Sequence, residues 1–201
     1  MFQEQGYSVL APDSRAHGES GGEIVTYGLL EKGEVIAWAH WMNRRGCTKL
    51  YGLGESLGAS ILIQATAVEP AFAAIVSESA YADLQDAAEV RLMHSLPLPA
   101  TIARPIAWLA AVNGKAYARI AYGLDFNAAS PLEAIRRSHT PILLIHGLDD
   151  DQTPPDHSRR LAAANPSITE LWLVPGIRHA SAYSADPSVF RQRVLHWFSE
   201  H

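Results

Sequence analysis

The sequence predicts an α/β protein: a mostly parallel sheet flanked by helices, with a small helical insertion. Three observations carry this expectation. Short apolar runs recur along the chain, among them Leu50 to Leu53, Ala73 to Ser77 and Pro141 to His146. Longer segments of helical character separate them. The runs also lack the polar alternation of a half-exposed strand, so they suit a sheet covered by helices on both faces. A length of 201 residues is enough for one domain with a substantial interior, here residues 1–201.

The elements follow in order. Tyr7 to Ala11 reads as a strand, and Asp13 to Gly22 as a polar, glycine-rich loop. Tyr27 to Arg44 reads as a helix, because Leu30, Val35, Ala37, Trp38 and Trp41 recur at loosely helical spacing. Lys49 to Leu53 is a strand, Leu57 to Val68 the helix behind it, and Glu69-Pro70 ends that helix. Ala73 to Ser77 is the next strand. Residues 81–139 break the alternation: Leu92, Met93, Leu96, Leu98, Ile102, Ile106, Trp108, Tyr117 and Tyr122 show no strand pattern. This stretch reads as helices inserted between two strands, walling a pocket; ordinary packing of helices on the sheet is the alternative for some of their faces. A strand at Pro141 to His146, a helix near Asp156 to Ala164, a strand at Leu171 to Val174 and a helix near Pro187 to Glu200 complete the chain.

One motif stands out in this frame. Gly54-Glu55-Ser56-Leu57-Gly58 follows an apolar run and precedes a helical one. A serine on a sharp strand-to-helix turn holds its hydroxyl outward, and glycines beside it avoid collisions with the neighbouring strand or helix. Serine is a weak nucleophile and needs a base, which in turn needs an orienting group. Downstream, the strand ending at His146 runs into Gly147-Leu148-Asp149-Asp150-Asp151, and the last strand runs into Pro175-Gly176-Ile177-Arg178-His179. A carboxylate after one buried strand and a histidine after the last are suited to those roles.

The order Ser56, acid, His179 resembles the α/β-hydrolase superfamily, and the resemblance covers nearly the whole chain. His146-Gly147-x-x-Asp150-x-x-Thr153-Pro154 resembles its acid loop, Gly176-x-x-His179 its histidine loop, and Gly6 to Gly21 its fourth strand and following turn. The resemblance implies a serine hydrolase with an esterase-like acyl-enzyme mechanism. Ser56 would be the nucleophile, His179 the base, Asp150 the acid and the Leu57 N–H an oxyanion donor. Asp149 and Asp151 then read as solvated loop carboxylates. A serine at this position argues against the epoxide and carbon–halogen chemistry of relatives with an aspartate nucleophile. Peptidase and acyltransferase activity stay open beside esterase. No cofactor and no metal is implied, and the expected partner is a small-molecule ester.

The resemblance also exposes a gap. Full members begin with further strands and a His-Gly loop that supplies the second oxyanion N–H; here Met1 to Gly6 resembles the end of a later helix. The expectation is therefore an N-terminally truncated chain. Loss of one oxyanion donor costs roughly 2.7–4 kcal/mol of transition-state stabilisation. A catalytically incompetent fragment or scaffold is accordingly the second reading.

Composition narrows the field. Net charge is −5, with 48% hydrophobic and 18% charged residues, and no basic stripe suggests a nucleic-acid partner. The single cysteine, Cys47, forms no disulfide framework and reads as a small buried residue. The most apolar stretch, Leu96 to Val112, is interrupted by Arg104, Pro97, Pro99 and Pro105, short of the roughly twenty apolar residues of a membrane span. Glu4 and the absence of a basic leader argue against a signal peptide, which makes cytoplasmic the expected location. Gly52-x-Gly54 would need a third glycine at Leu57 to be a dinucleotide fingerprint. His17 reads as a turn histidine with a local hydrogen bond and His146 as a satisfied interior one. His40, His94, His139, His157, His196 and His201 show no metal-ligand spacing. Glu55 and Ser79 border the turn and a strand end, and Arg178 is either a surface charge or a substrate contact.

Overall fold

The computed structural model describes residues 1–201. A 3₁₀ turn at Gln3–Gln5 and an irregular stretch lead into helix α1 (Glu31–Asn43). Strand β1 (Tyr51–Glu55), helix α2 (Leu57–Thr66) and strand β2 (Ala74–Glu78) form the first strand–helix–strand unit. Helices α3 (Leu84–Ser95), α4 (Ala100–Tyr122) and α5 (Pro131–Arg137) intervene before strand β3 (Ile142–Gly147). Helix α6 (Asp156–Ala164), strand β4 (Thr169–Val174), the one-turn helix α7 (Ala182–Ala185) and helix α8 (Pro187–Glu200) follow.

The four strands pair in chain order, and every pairing is parallel. Both faces are covered. On one, Ile75, Ile142 and Leu144 pack against Leu62 and Ile63 of α2, Ile135 of α5 and Leu161 of α6. On the other, Val76, Leu143 and Ile145 pack against Phe190, Val194 and Phe198 of α8. Strands β2 and β3 are buried at every position, as their uninterrupted apolar sequence requires.

Local chemistry sets the helix ends. Asp83 caps α3 by accepting from the N–H groups of Gln85 and Asp86 at 2.7 and 3.2 Å. Asp186 caps α8 ahead of Pro187, which stands where a helix needs no N–H donor. Gly123, at φ +68°, closes α4.

The structure departs from the sequence expectations at several points. Tyr7 to Ala11 is not a strand, since no neighbour pairs with it, and β1 keeps one unpaired edge. Helix α1 begins at Glu31 rather than Tyr27, because Gly28 at φ +102° and Tyr27 at φ +54° form a turn there. Pro105 lies within α4, where it removes one backbone hydrogen bond. Within 81–139, α3 and α4 pack on each other, whereas α5 joins the interior beside α2. No helix is long and apolar enough to cross a membrane.

Candidate active site

The site gathers at the C-terminal ends of the parallel strands, where three loops converge. The first is the β1–α2 turn. Ser56 adopts φ +52°, ψ −114°, a conformation that costs a non-glycine residue about 1–3 kcal/mol. The turn is held from both sides: Ser56 N–H donates to the Glu78 carbonyl at 2.8 Å, and its carbonyl accepts from Ser60 N–H at 3.1 Å. Gly54 makes the sharp turn possible, for a Cβ there would lie 2.7 Å from backbone atoms of Gly58 and Ala59. The same argument fails at Gly58, where a Cβ would meet nothing.

The second loop leaves β3. Gly147 allows it to touch the histidine loop: an added Cβ would sit 2.2 Å from the Ile177 carbonyl oxygen. Asp150 follows, 4% exposed and fully hydrogen-bonded. Its Oδ1 accepts from the N–H groups of Gln152 at 3.0 Å and Thr153 at 2.8 Å. Its Oδ2 accepts from His179 Nδ1 at 2.8 Å and lies 3.2 Å from His146 Nε2. Burial pushes the Asp150 carboxyl up, but the bonds from His146, His179 and Thr153 outweigh it and hold the group well below the usual carboxylate range. Asp149 and Asp151 do neither job; Asp151 pairs with Arg178 at the surface, 3.2 Å away. Arg178 is thereby placed as a surface charge.

The third loop follows β4 and carries His179. Its Nε2 lies 2.8 Å from Ser56 Oγ, so Ser56, His179 and Asp150 form a continuous hydrogen-bonded line. With Nδ1–H directed at the carboxylate, Nε2 is left as the acceptor for the serine proton. Leu57 is the first residue of α2, so its N–H has no partner within the helix and is available to a developing oxyanion.

Two supports hold these loops, and sequence reading missed the first. Glu78, at the end of β2, is 2% exposed and accepts from Ala182 N–H through Oε1 at 2.8 Å, while Oε2 is buried without a partner. Burial raises its pKa, and the Ala182 N–H offsets only part of that rise. Beside it, Ser79 Oγ accepts from Ala180 N–H at 3.1 Å. The histidine loop is thus tied to the end of β2 on either side of Ser181. The second support is His146, whose role extends beyond a filled interior. Its Nε2 faces two acceptors, the Thr153 carbonyl at 2.7 Å and Asp150 Oδ2, and therefore carries a proton; Nδ1 lies 2.6 Å from Ser158 Oγ. His146 and Gly147 did leave a trace in the sequence, both as part of the acid-loop motif.

A cavity of about 470 Å³ opens at Ser56 and Leu57. Helices α3 and α4 form much of its wall, with Leu84, Leu92 and Ala111, and Tyr27, Tyr81 and Phe126 add aromatic surface. Tyr81 donates to the Tyr27 carbonyl at 3.2 Å, and burial, with Tyr27 and Glu31 adding to it, pushes its phenol up and keeps it neutral. His17 also lines the cavity while bonding locally to the Arg15 carbonyl at 2.9 Å. Glu55 and Ser79 do not line it.

Comparison with known proteins places this arrangement. A model described as the alpha/beta hydrolase family matches residues 2–193. The Bacillus subtilis protein YqkD, itself uncharacterised, is 27% identical over 200 residues, covering 96% of this chain and 63% of its own length. The chain thus spans less than two thirds of that relative. The Pyrococcus furiosus esterase Pf2001 superposes with a TM-score of 0.77 at 21% identity, over 99% of this chain and 72% of its own. A puromycin-hydrolysing peptidase of Mycobacterium tuberculosis superposes with a TM-score of 0.66 at 22% identity, over 87% and 26%. At these identities the two structures are alike in fold.

Proposed function

The chain belongs to the alpha/beta hydrolase family, and from that premise we propose that it is a serine hydrolase of carboxylic esters, acting through an acyl-enzyme on Ser56. The observation that carries the reading is the line of two 2.8 Å contacts from Ser56 Oγ through His179 to Asp150. As Oγ attacks the ester carbonyl, His179 Nε2 takes its proton. Asp150 keeps the imidazole in the required tautomer and stabilises the imidazolium. The carbonyl oxygen, now negative, lies at the N-terminus of α2 and receives the Leu57 N–H. His179 returns the proton to the departing alcohol, then activates a water that releases the acid and regenerates Ser56.

Helices α3 and α4 act as the cap in this reading, and a cavity of about 470 Å³ suits an ester of small or medium size. The likeness to both an esterase and a peptidase supports acyl transfer as the chemistry, and the largely apolar cavity favours an ester over a peptide.

A fluorophosphonate probe tests this directly, because it reacts quickly only with an activated serine. The parent chain should label at Ser56 and hydrolyse p-nitrophenyl butyrate, and Ser56→Ala should lose both. A parent that labels no faster than Ser56→Ala would instead establish a scaffold holding the three side chains without turnover.

A further inference from the structure

The charges along the cavity are one-sided. Among its 18 lining residues there is no aspartate or glutamate, although the chain carries 21 acidic residues against 16 basic ones. Its cations are Arg91 on α3 and Lys115 on α4, with His17 the one other titratable nitrogen base. Other cations of this region meet carboxylates outside the cavity wall: Arg104 pairs with Glu89 at 3.3 Å, Arg119 with Asp125 at 3.9 Å and Arg160 with Asp86 at 2.6 Å. Arg91 and Lys115 have no carboxylate within 4.0 Å. Lys115 is half-buried and oriented, its Nζ donating to Gln85 Oε1 at 3.1 Å, which leaves further N–H donors unused.

We infer that the substrate of this site is an ester that also bears an anionic group, a carboxylate or a phosphate, received by Arg91 and Lys115. The inference rests on the hydrolase reading of Ser56 and extends it to a substrate class. The reactive carbonyl sits at Ser56 and Leu57, the apolar stem lies along α3 and α4, and the negative end meets the two cations. The positive lining also draws anionic esters toward a protein whose net charge would otherwise repel them.

The test compares pairs of esters matched in acyl chain length. The first pair is p-nitrophenyl hydrogen glutarate and p-nitrophenyl pentanoate; the second is a monobutyryl ester of glycerol 3-phosphate and monobutyrin. The two pairs separate carboxylate from phosphate as the source of charge. At least one anionic member should have kcat/KM about tenfold or more above its neutral partner, as expected for a partly exposed charge-assisted contact. Arg91→Gln and Lys115→Gln should each reduce that ratio about tenfold, mainly through KM, whereas Arg91→Lys and Lys115→Arg retain it. Arg104→Gln, outside the cavity, should leave the ratio unchanged. Rising sodium chloride should erode the preference but spare the neutral esters. Circular dichroism of each variant confirms folding. Ratios near one in both pairs, or ratios insensitive to both substitutions, overturn the inference. If the parent hydrolyses no ester at all, the hydrolase reading fails, and calorimetric titration of Ser56→Ala with glutarate monoamide against glutaric diamide still decides this one. Binding of the anion alone, lost in Lys115→Gln, supports it; equal binding of both overturns it.

Discussion

Asp150 shows how one side chain can be structural and chemical at once. Its carboxylate accepts from two backbone N–H groups of its own loop while facing two imidazoles, one buried and one in the site. Asp150→Asn preserves volume but removes the charge and places an amide against two histidines. The expected result is a loss of about ten-thousandfold in kcat with little change in KM, read from hydrolysis of p-nitrophenyl butyrate. The same residue contributes to acid sensitivity. Its folded pKa is depressed, so its contribution to stability is complete above the ordinary carboxylate range and declines as pH falls through that range. Denaturant midpoints from neutral to acid pH should therefore fall less steeply for Asp150→Asn than for the parent. A parallel pair of curves would remove Asp150 from the account of acid stability.

At the scale of elements, the histidine loop is positioned by the end of β2. Glu78 and Ser79 accept from Ala182 and Ala180, and both Ser79 and Ala180 sit at positive φ, 53° and 47°. Such conformations persist only where surrounding bonds over-determine them. Glu78→Ala removes one of those bonds and should lower kcat by roughly a hundredfold with KM nearly constant, since small misplacements of a base are costly. Glu78→Gln keeps an oxygen acceptor for Ala182 and should recover most of the activity. The sign of the pH effect here is opposite to that of Asp150. The Glu78 pKa is raised, so ionisation destabilises the parent as pH rises through its folded value, and Glu78→Gln escapes that loss. Loss of activity without the conservative rescue would show that Glu78 acts through more than this bond.

For the whole molecule, stability resides in the two apolar layers either side of β2 and β3. Leu144 lies at the centre of one, inaccessible to solvent, beside residues of α2, α5 and α6. Leu144→Ala should cost about 2–5 kcal/mol in denaturant unfolding, because the rigid sheet cannot collapse into the void. A cost below 1 kcal/mol would mean that this layer is loosely packed.

Some of this was legible before any coordinates. Uncharged runs such as Pro141 to His146 specify strands buried on both faces, because no solvated alternative accommodates them. Gly54 and Ser56 could be located because a tight turn restricts residue type and spacing, whereas Asp150 stood out from Asp149 and Asp151 only through the family resemblance. Tyr7 to Ala11 could not, since its apolar pattern resembles a strand while pairing depends on a neighbour supplied by the fold. Glu78 was silent: a buried carboxylate carries no local signal of the loop it holds, Ala182 lying 104 residues away. The sequence by itself determined the sheet, the sharp turn and the residue types at the end of each strand, since these depend on short-range sterics and hydrophobic periodicity. Only the tertiary structure decided which carboxylate meets His179, what anchors that loop and which cations face the cavity, because those depend on distances between segments far apart in the chain.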